Sequence, residues 1–137
     1  MAVTACATDQ FKQDLLNGRA FSGDTFKMAL FVAASSSLGK STTAYTSSGE
    51  ITGTGYTAGG ATLSGFTVGL SGDTAYLTFS NPSWSGATIT ADTAMIYDSS
   101  NSNHSVCILS FTSAGVTAGT FVVQLPAAGA SSTVTLA

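Results

Sequence analysis

Residues 8–17 are the one stretch of this chain whose apolar positions recur at helical spacing. Phe11 and Leu15 lie four apart on one face, with Leu16 as a further candidate for it. Thr8 is placed to cap the N-terminus, Asp9 suits the positive end of the helix dipole, and Gly18 stands where a C-terminal stop belongs. A helix this short cannot hold alone in water, so the pattern predicts that it lies on a sheet through Phe11 and Leu15.

From residue 25 onward the period is two. The pattern predicts strands at 25–33, 61–70, 74–80, 87–98 (which a break could divide), 104–111, 119–125 and 132–136. Turn signals separate them: the serines at 35–37, Ser71-Gly72-Asp73, Asn81-Pro82-Ser83, the Ser/Asn run at 99–103, and Ala114-Gly115. In Thr74-Ala75-Tyr76-Leu77-Thr78-Phe79 and in Thr88-Ile89-Thr90-Ala91, hydroxyls occupy one set of positions and apolar or small side chains the other. Threonine suits a half-exposed pleated face and needs no charge to do so. Short strands at this spacing predict an all-β fold, an antiparallel β-sandwich of jelly-roll or Ig-like type with one short N-terminal α-helix, in a single domain over 1–137. The segment 49–60, with five glycines, Glu50 and Tyr56, reads as a flexible connecting loop.

Composition alters this picture in one respect. The chain is 44% hydrophobic and only 8% charged, against roughly 25% charged in an ordinary domain. With a net charge of −3 and a mean hydropathy of +0.32, disorder does not explain the deficit. Either hydroxyls wet the surface in place of charges, or part of that surface is hidden in a lasting assembly. All four basic residues, Lys12, Arg19, Lys27 and Lys40, precede residue 41. Without a basic patch the chain is a poor binder of nucleic acid or of an anionic membrane surface. Cys6 and Cys107 lie far apart and form no CxxC pair, which suggests two thiols in a reducing cytosol rather than a zinc site or a disulfide framework. The start lacks the basic region of a secretory signal, so synthesis in the cytoplasm is expected.

Candidate chemistry is thin. Ala34–Ser41 mimics a P-loop with Ala for the first glycine, but residues 42–49 are poor helix formers. Gly53-Thr54-Gly55-Tyr56-Thr57-Ala58 fits GxGxxA, yet Gly59-Gly60 stand where a helix should begin. His104 is the sole histidine and has no nucleophile elbow near it in sequence, and no pair among Glu50, Asp73, Asp92 and Asp98 is fixed by spacing. No catalytic residue, cofactor or metal is therefore expected. The oxygen-rich run Asp98–Asn103 lacks the features of an EF-hand and reads as an Asx-type turn. Trp84, Tyr45, Tyr56 and Tyr97 could stack on sugar rings, although such side chains more often fill cores and protein interfaces.

Several runs form an ordered set. Phe11-Lys12-Gln13-Asp14-Leu15-Leu16-Asn17-Gly18 is followed by Asp24-Thr25-Phe26-Lys27-Met28-Ala29-Leu30-Phe31, Thr42-Thr43-Ala44-Tyr45-Thr46 and the Gly53–Gly60 run. Trp84, Ile89-Thr90-Ala91, Tyr97 before the Ser/Asn turn, and Gly119-Thr120-Phe121 leading to Leu125-Pro126 complete it. Across nearly its whole length the chain resembles small virion proteins of tailed bacteriophages, of the kind called decoration, cement or head proteins. It departs from them at Asp98 and His104, where Asn and a basic residue would be expected. The resemblance implies a non-enzymatic protein on the capsid surface that binds across major capsid protein subunits and self-associates, as a homotrimer first and a dimer second. A host-glycan-binding module of a head fibre or tail, and a tail-tube or connector component, are the alternatives. The partner-binding residues expected are Phe11 and Leu15 on the helix, with Tyr45, Tyr56 and Trp84, the glycine-rich loop ordering on contact.

Overall fold

The computed structural model describes residues 3–136. Strand β1 (Val3–Ala7) leads into helix α1 (Asp9–Leu16), followed by β2 (Phe26–Phe31), β3 (Ala61–Thr62), β4 (Thr67–Ser71), β5 (Thr74–Thr78), β6 (Ser83–Asp98), β7 (His104–Val122) and β8 (Val134–Leu136). They form two antiparallel sheets, ordered β1-β7-β6-β2-β3 and β4-β5-β8. The chain is thus all-β and sandwich-like with one short helix. No helix among the described residues is long and apolar enough to cross a membrane.

The helix ends are fixed by local chemistry. The Thr8 hydroxyl accepts the Phe11 N–H and itself donates to the Ser105 carbonyl, so one fully buried side chain caps α1 and pins it to β7. At the other end Gly18 sits at φ +82°, with its N–H bonded to Leu15 O and the Arg19 N–H bonded to Asp14 O. That is a Schellman closure, which a left-handed residue makes possible. Phe11 is buried and Leu15 half-buried, as the spacing predicts, whereas Leu16 is 90% exposed and belongs to the outer face.

Coverage explains the change of pattern along the long strands. One face of the larger sheet packs Phe26, Met28, Leu30, Ala94 and Ile96 into a core shared with Leu77, Phe79 and Val134 of the smaller sheet side. The opposite face carries Ala29, Phe31, Met95, Tyr97 and Ile108, covered by Leu38 and Tyr45 from the segment between β2 and β3. Strands covered on both sides must be apolar at every position, hence Met-Ala-Leu-Phe in β2 and Ala-Met-Ile-Tyr in β6. In the first half of β6 only one side is covered, and Trp84, Ala87, Ile89 and Ala91 are buried while Ser85, Thr88 and Thr90 are exposed.

Three expectations are corrected. The span 61–70 is not one strand: β3 belongs to the larger sheet and β4 to the smaller, and the chain crosses between them at Ser64-Gly65, where Gly65 takes φ +71°. The span 104–111 and residues 119–122 of the span 119–125 are parts of one strand, β7, which faces β6 along its length with register shifts such as that between Ala91 and Thr93, and residues 123–125 lie beyond its end. Gly115 is glycine because the strands approach closely there, a Cβ coming within 2.6 Å of Thr90 Oγ1, and not because the chain turns. Strand β1 was absent from the sequence pattern; its partner β7 lies about a hundred residues away, as in Ala5↔Leu109.

Candidate functional site

Segment 49–60 is built into the sheet edge. Strand β3 covers only Lys27 and Met28 of β2, which would leave Leu30 with open backbone groups. The Ile51 N–H donates to Leu30 O at 3.0 Å, and the Leu30 N–H donates to the Tyr56 hydroxyl at 2.9 Å. Glu50 holds this arrangement together. Its carboxylate accepts from Tyr45 Oη at 2.5 Å, Tyr56 Oη at 2.6 Å and the Gly59 N–H at 2.7 Å, while Tyr97 Oη donates to Gly59 O at 2.6 Å. Burial first, and then the bond to Glu50, pushes the Tyr45 and Tyr56 phenols above their ordinary pKa, so both remain donors throughout the accessible pH range. The expected flexible loop is instead a fixed cover, and the two nucleotide-motif look-alikes within or before it open no helix.

A second polar cluster lies between α1 and the β6–β7 turn. Asp14 accepts from Gln10 Nε2 at 3.1 Å and Asn101 Nδ2 at 3.0 Å, and pairs with His104 Nδ1 at 3.1 Å. The neighbouring Ser105 directs its hydroxyl to Thr8 and to the Thr42 carbonyl, so no serine–histidine pair forms at this position. Asp98 closes the expected Asx turn by accepting the Ser100 N–H at 2.9 Å through Oδ1. Its Oδ2 is buried without a hydrogen-bond partner among the described residues, 4.0 Å from Arg19, which is itself engaged with Asp24 at 2.6 Å.

Asp98 therefore carries a pH-dependent cost. Its pKa is raised to about 6, chiefly by burial and also by the neighbouring Asp24 carboxylate, against the opposing pull of the Ser100 N–H and Arg19. Because the folded state holds this proton more tightly than the unfolded chain, the contribution is complete below about pH 4 and is lost as pH rises through about 6. Asp98→Asn should remove this component of the pH dependence, and chemical unfolding at pH 4.5 and pH 8 should show a smaller difference in stability than in the wild type.

The third feature is apolar. Phe11, Leu15, Phe21, Phe66, Val68 and Leu136 line a groove of about 200 Å³ between α1 and the smaller sheet. On the same flank Val68 is 62% exposed, Leu70 75% and Leu136 48%. The alternation within β4 and β5 accounts for this: Val68, Leu70, Ala75 and Leu77 share one sheet face, and only its Leu77 end reaches the core. The other face carries Thr67, Ser71, Thr74 and Thr78.

The residues expected to meet a partner are thus divided. Leu15 lies half-buried in the groove wall. Phe11 is 2% exposed and stacks near Phe21, and Trp84 is 6% exposed between Tyr56 and Phe121, so both rings are committed to the chain's own core. Tyr45 stacks on Tyr97 at 4.7 Å between ring centres, and both it and Tyr56 are tied to Glu50. An open cleft of about 680 Å³, lined by Ser35, Glu50, Thr52, Thr88, Thr90 and Thr117 among others, has no aromatic ring in its wall. The sequence reading missed Val68, Leu70 and Leu136; the signal for them was an alternating strand whose apolar face contains no charge. No family model, curated protein or solved structure matches the chain.

Proposed function

We propose that this chain is a non-enzymatic structural protein of a bacteriophage virion, a decoration or cement protein that binds across major capsid protein subunits. The observation that carries the reading is the apolar groove beside a charge-free sheet flank, an adhesive surface on an otherwise hydroxyl-rich domain. Exposed apolar patches of this kind mark protein interaction sites. The ordered motif set that resembles phage head proteins supplies the partner. Repetition over many equivalent capsid sites would turn a modest contact into a cooperative reinforcement.

The groove itself provides the test. Leu136→Asp adds a charge where the side chain is half exposed, so the fold should persist while the contact fails. Purified wild-type protein should sediment with heads stripped of it, saturating at a fixed ratio, and Leu136→Asp should bind at least tenfold more weakly. Equal binding by the two proteins would show that the groove is not the contact.

A further inference from the structure

Strand β4 is an edge of the smaller sheet, and among the described residues no backbone hydrogen bond reaches its outer side. Ser71 and Thr74 flank a two-residue turn, Gly72-Asp73, with Gly72 at φ +59°. In such a hairpin the flanking residues form the hydrogen-bonded pair that closes the turn. Thr67, Gly69 and Ser71 therefore direct their backbone groups at β5, and Val68 and Leu70 direct theirs outward. Exposed edges normally carry Lys, Pro or a covering segment. The β2 edge has such cover in Ile51 and Tyr56, whereas residues 64–72 contain neither a charge nor a proline.

We propose that β4 pairs antiparallel with β4 of a second copy of this chain, about a twofold axis at Gly69. This goes beyond the proposed capsid contact and gives the expected self-association a twofold rather than a threefold form. Centring the axis on Gly69 places Val68 opposite the second copy's Leu70 and Thr67 opposite its Ser71. Apolar thus meets apolar on one face and hydroxyl meets hydroxyl on the other. The outward N–H and C=O of Val68 and Leu70 fall at the hydrogen-bonded positions of that pairing. At the axis two glycines meet, each overlain by the Tyr76 ring of its own chain, whose hydroxyl lies where a Cβ would stand. Each chain carries a net charge of −3, yet no charge lies on the strand where the two would join. An isologous contact of this kind closes on itself and leaves two short β8 edges in a six-stranded sheet. The area offered by one short strand falls below the roughly 800 Å² per partner of a standard complex, so the dimer should be concentration-dependent.

Sedimentation velocity of the purified chain, without any capsid, should show monomer converting to dimer as concentration rises through the micromolar range. Leu70→Lys should weaken the dimer at least tenfold although it lowers the net negative charge. Hydrogen exchange on the wild-type protein gives a readout that does not depend on the variant folding. The amides of Val68 and Leu70 should slow with rising concentration, while those of Thr67, Gly69 and Ser71, already bonded to β5, should not. A monomer at all concentrations, a trimer, or exchange at Val68 and Leu70 that ignores concentration would overturn the proposal. A dimer with these properties that does not bind heads would leave this pairing standing and remove only the capsid reading.

Discussion

Gly60→Ala should leave the protein largely unfolded at 37 °C. Gly60 adopts φ +80°, a region an L-residue enters only with strain, and a Cβ there would overlap the Met28 carbonyl oxygen and lie 2.7 Å from Ala29 Cα. The colliding atoms are backbone of β2, the strand at the centre of both apolar clusters, so no side-chain rotation relieves them. Relief would require segment 49–60 to lift from the β2 edge and expose Leu30. A cost on the order of 4 kcal/mol or more is expected, near the total stability of many small domains. Gly72→Ala, at φ +59° with open space around it, is the control: it carries the conformational strain without the collision and should cost about 1–2 kcal/mol. Urea midpoints for the two variants should differ widely, and similar midpoints would show that the segment yields freely.

Glu50→Ala should be the second most damaging single change. Truncation removes the acceptor for two phenols and one backbone N–H at once. A fully buried donor left unsatisfied costs about 1–3 kcal/mol, these three are half-buried, and the Tyr56 hydroxyl must still accept the Leu30 N–H, so a loss of roughly 2–4 kcal/mol is expected. Glu50→Gln retains one carbonyl acceptor and should lose about half as much. Amide exchange at Leu30 and Gly59 should accelerate in both variants ahead of global unfolding; unchanged protection there would mean that Glu50 is not the clasp.

These two predictions concern residues that the sequence displayed without disclosing their role. The glycine-rich run was conspicuous, but glycine spacing alone does not distinguish a mobile linker from a segment pressed against backbone. That difference depends on where Met28 O and Thr88 O lie, and thus on tertiary packing. The helix was legible almost to the residue because its signals are local: a cap at Thr8, a facing pair at Phe11 and Leu15, and a left-handed stop at Gly18. Strand type was legible wherever alternation held, as in β5. Its limits appeared where one strand serves two environments, as β6 does, or where small residues such as Gly115 mark close approach rather than a turn. Trp84 was a candidate for stacking on sugar or meeting a partner, but it lies at the start of a strand whose alternate positions face the core. The groove escaped notice because it joins residues from both ends of the chain, Leu15 and Leu136, which no local pattern connects.

Charge scarcity has two physical sources in this molecule. Hydroxyls replace charge on the open sheet faces, as Thr88, Thr90 and Thr117 do along the β6–β7 hairpin. Val68, Leu70 and Leu136 stand exposed on an apolar face, and assembly is the proposed reason. The most direct measurement of that central claim is the heat and low-salt stability of phage heads prepared with and without this chain. Heads lacking it should release their DNA at lower temperature and regain resistance when purified protein is added back. Heads equally resistant in its absence would contradict the claim.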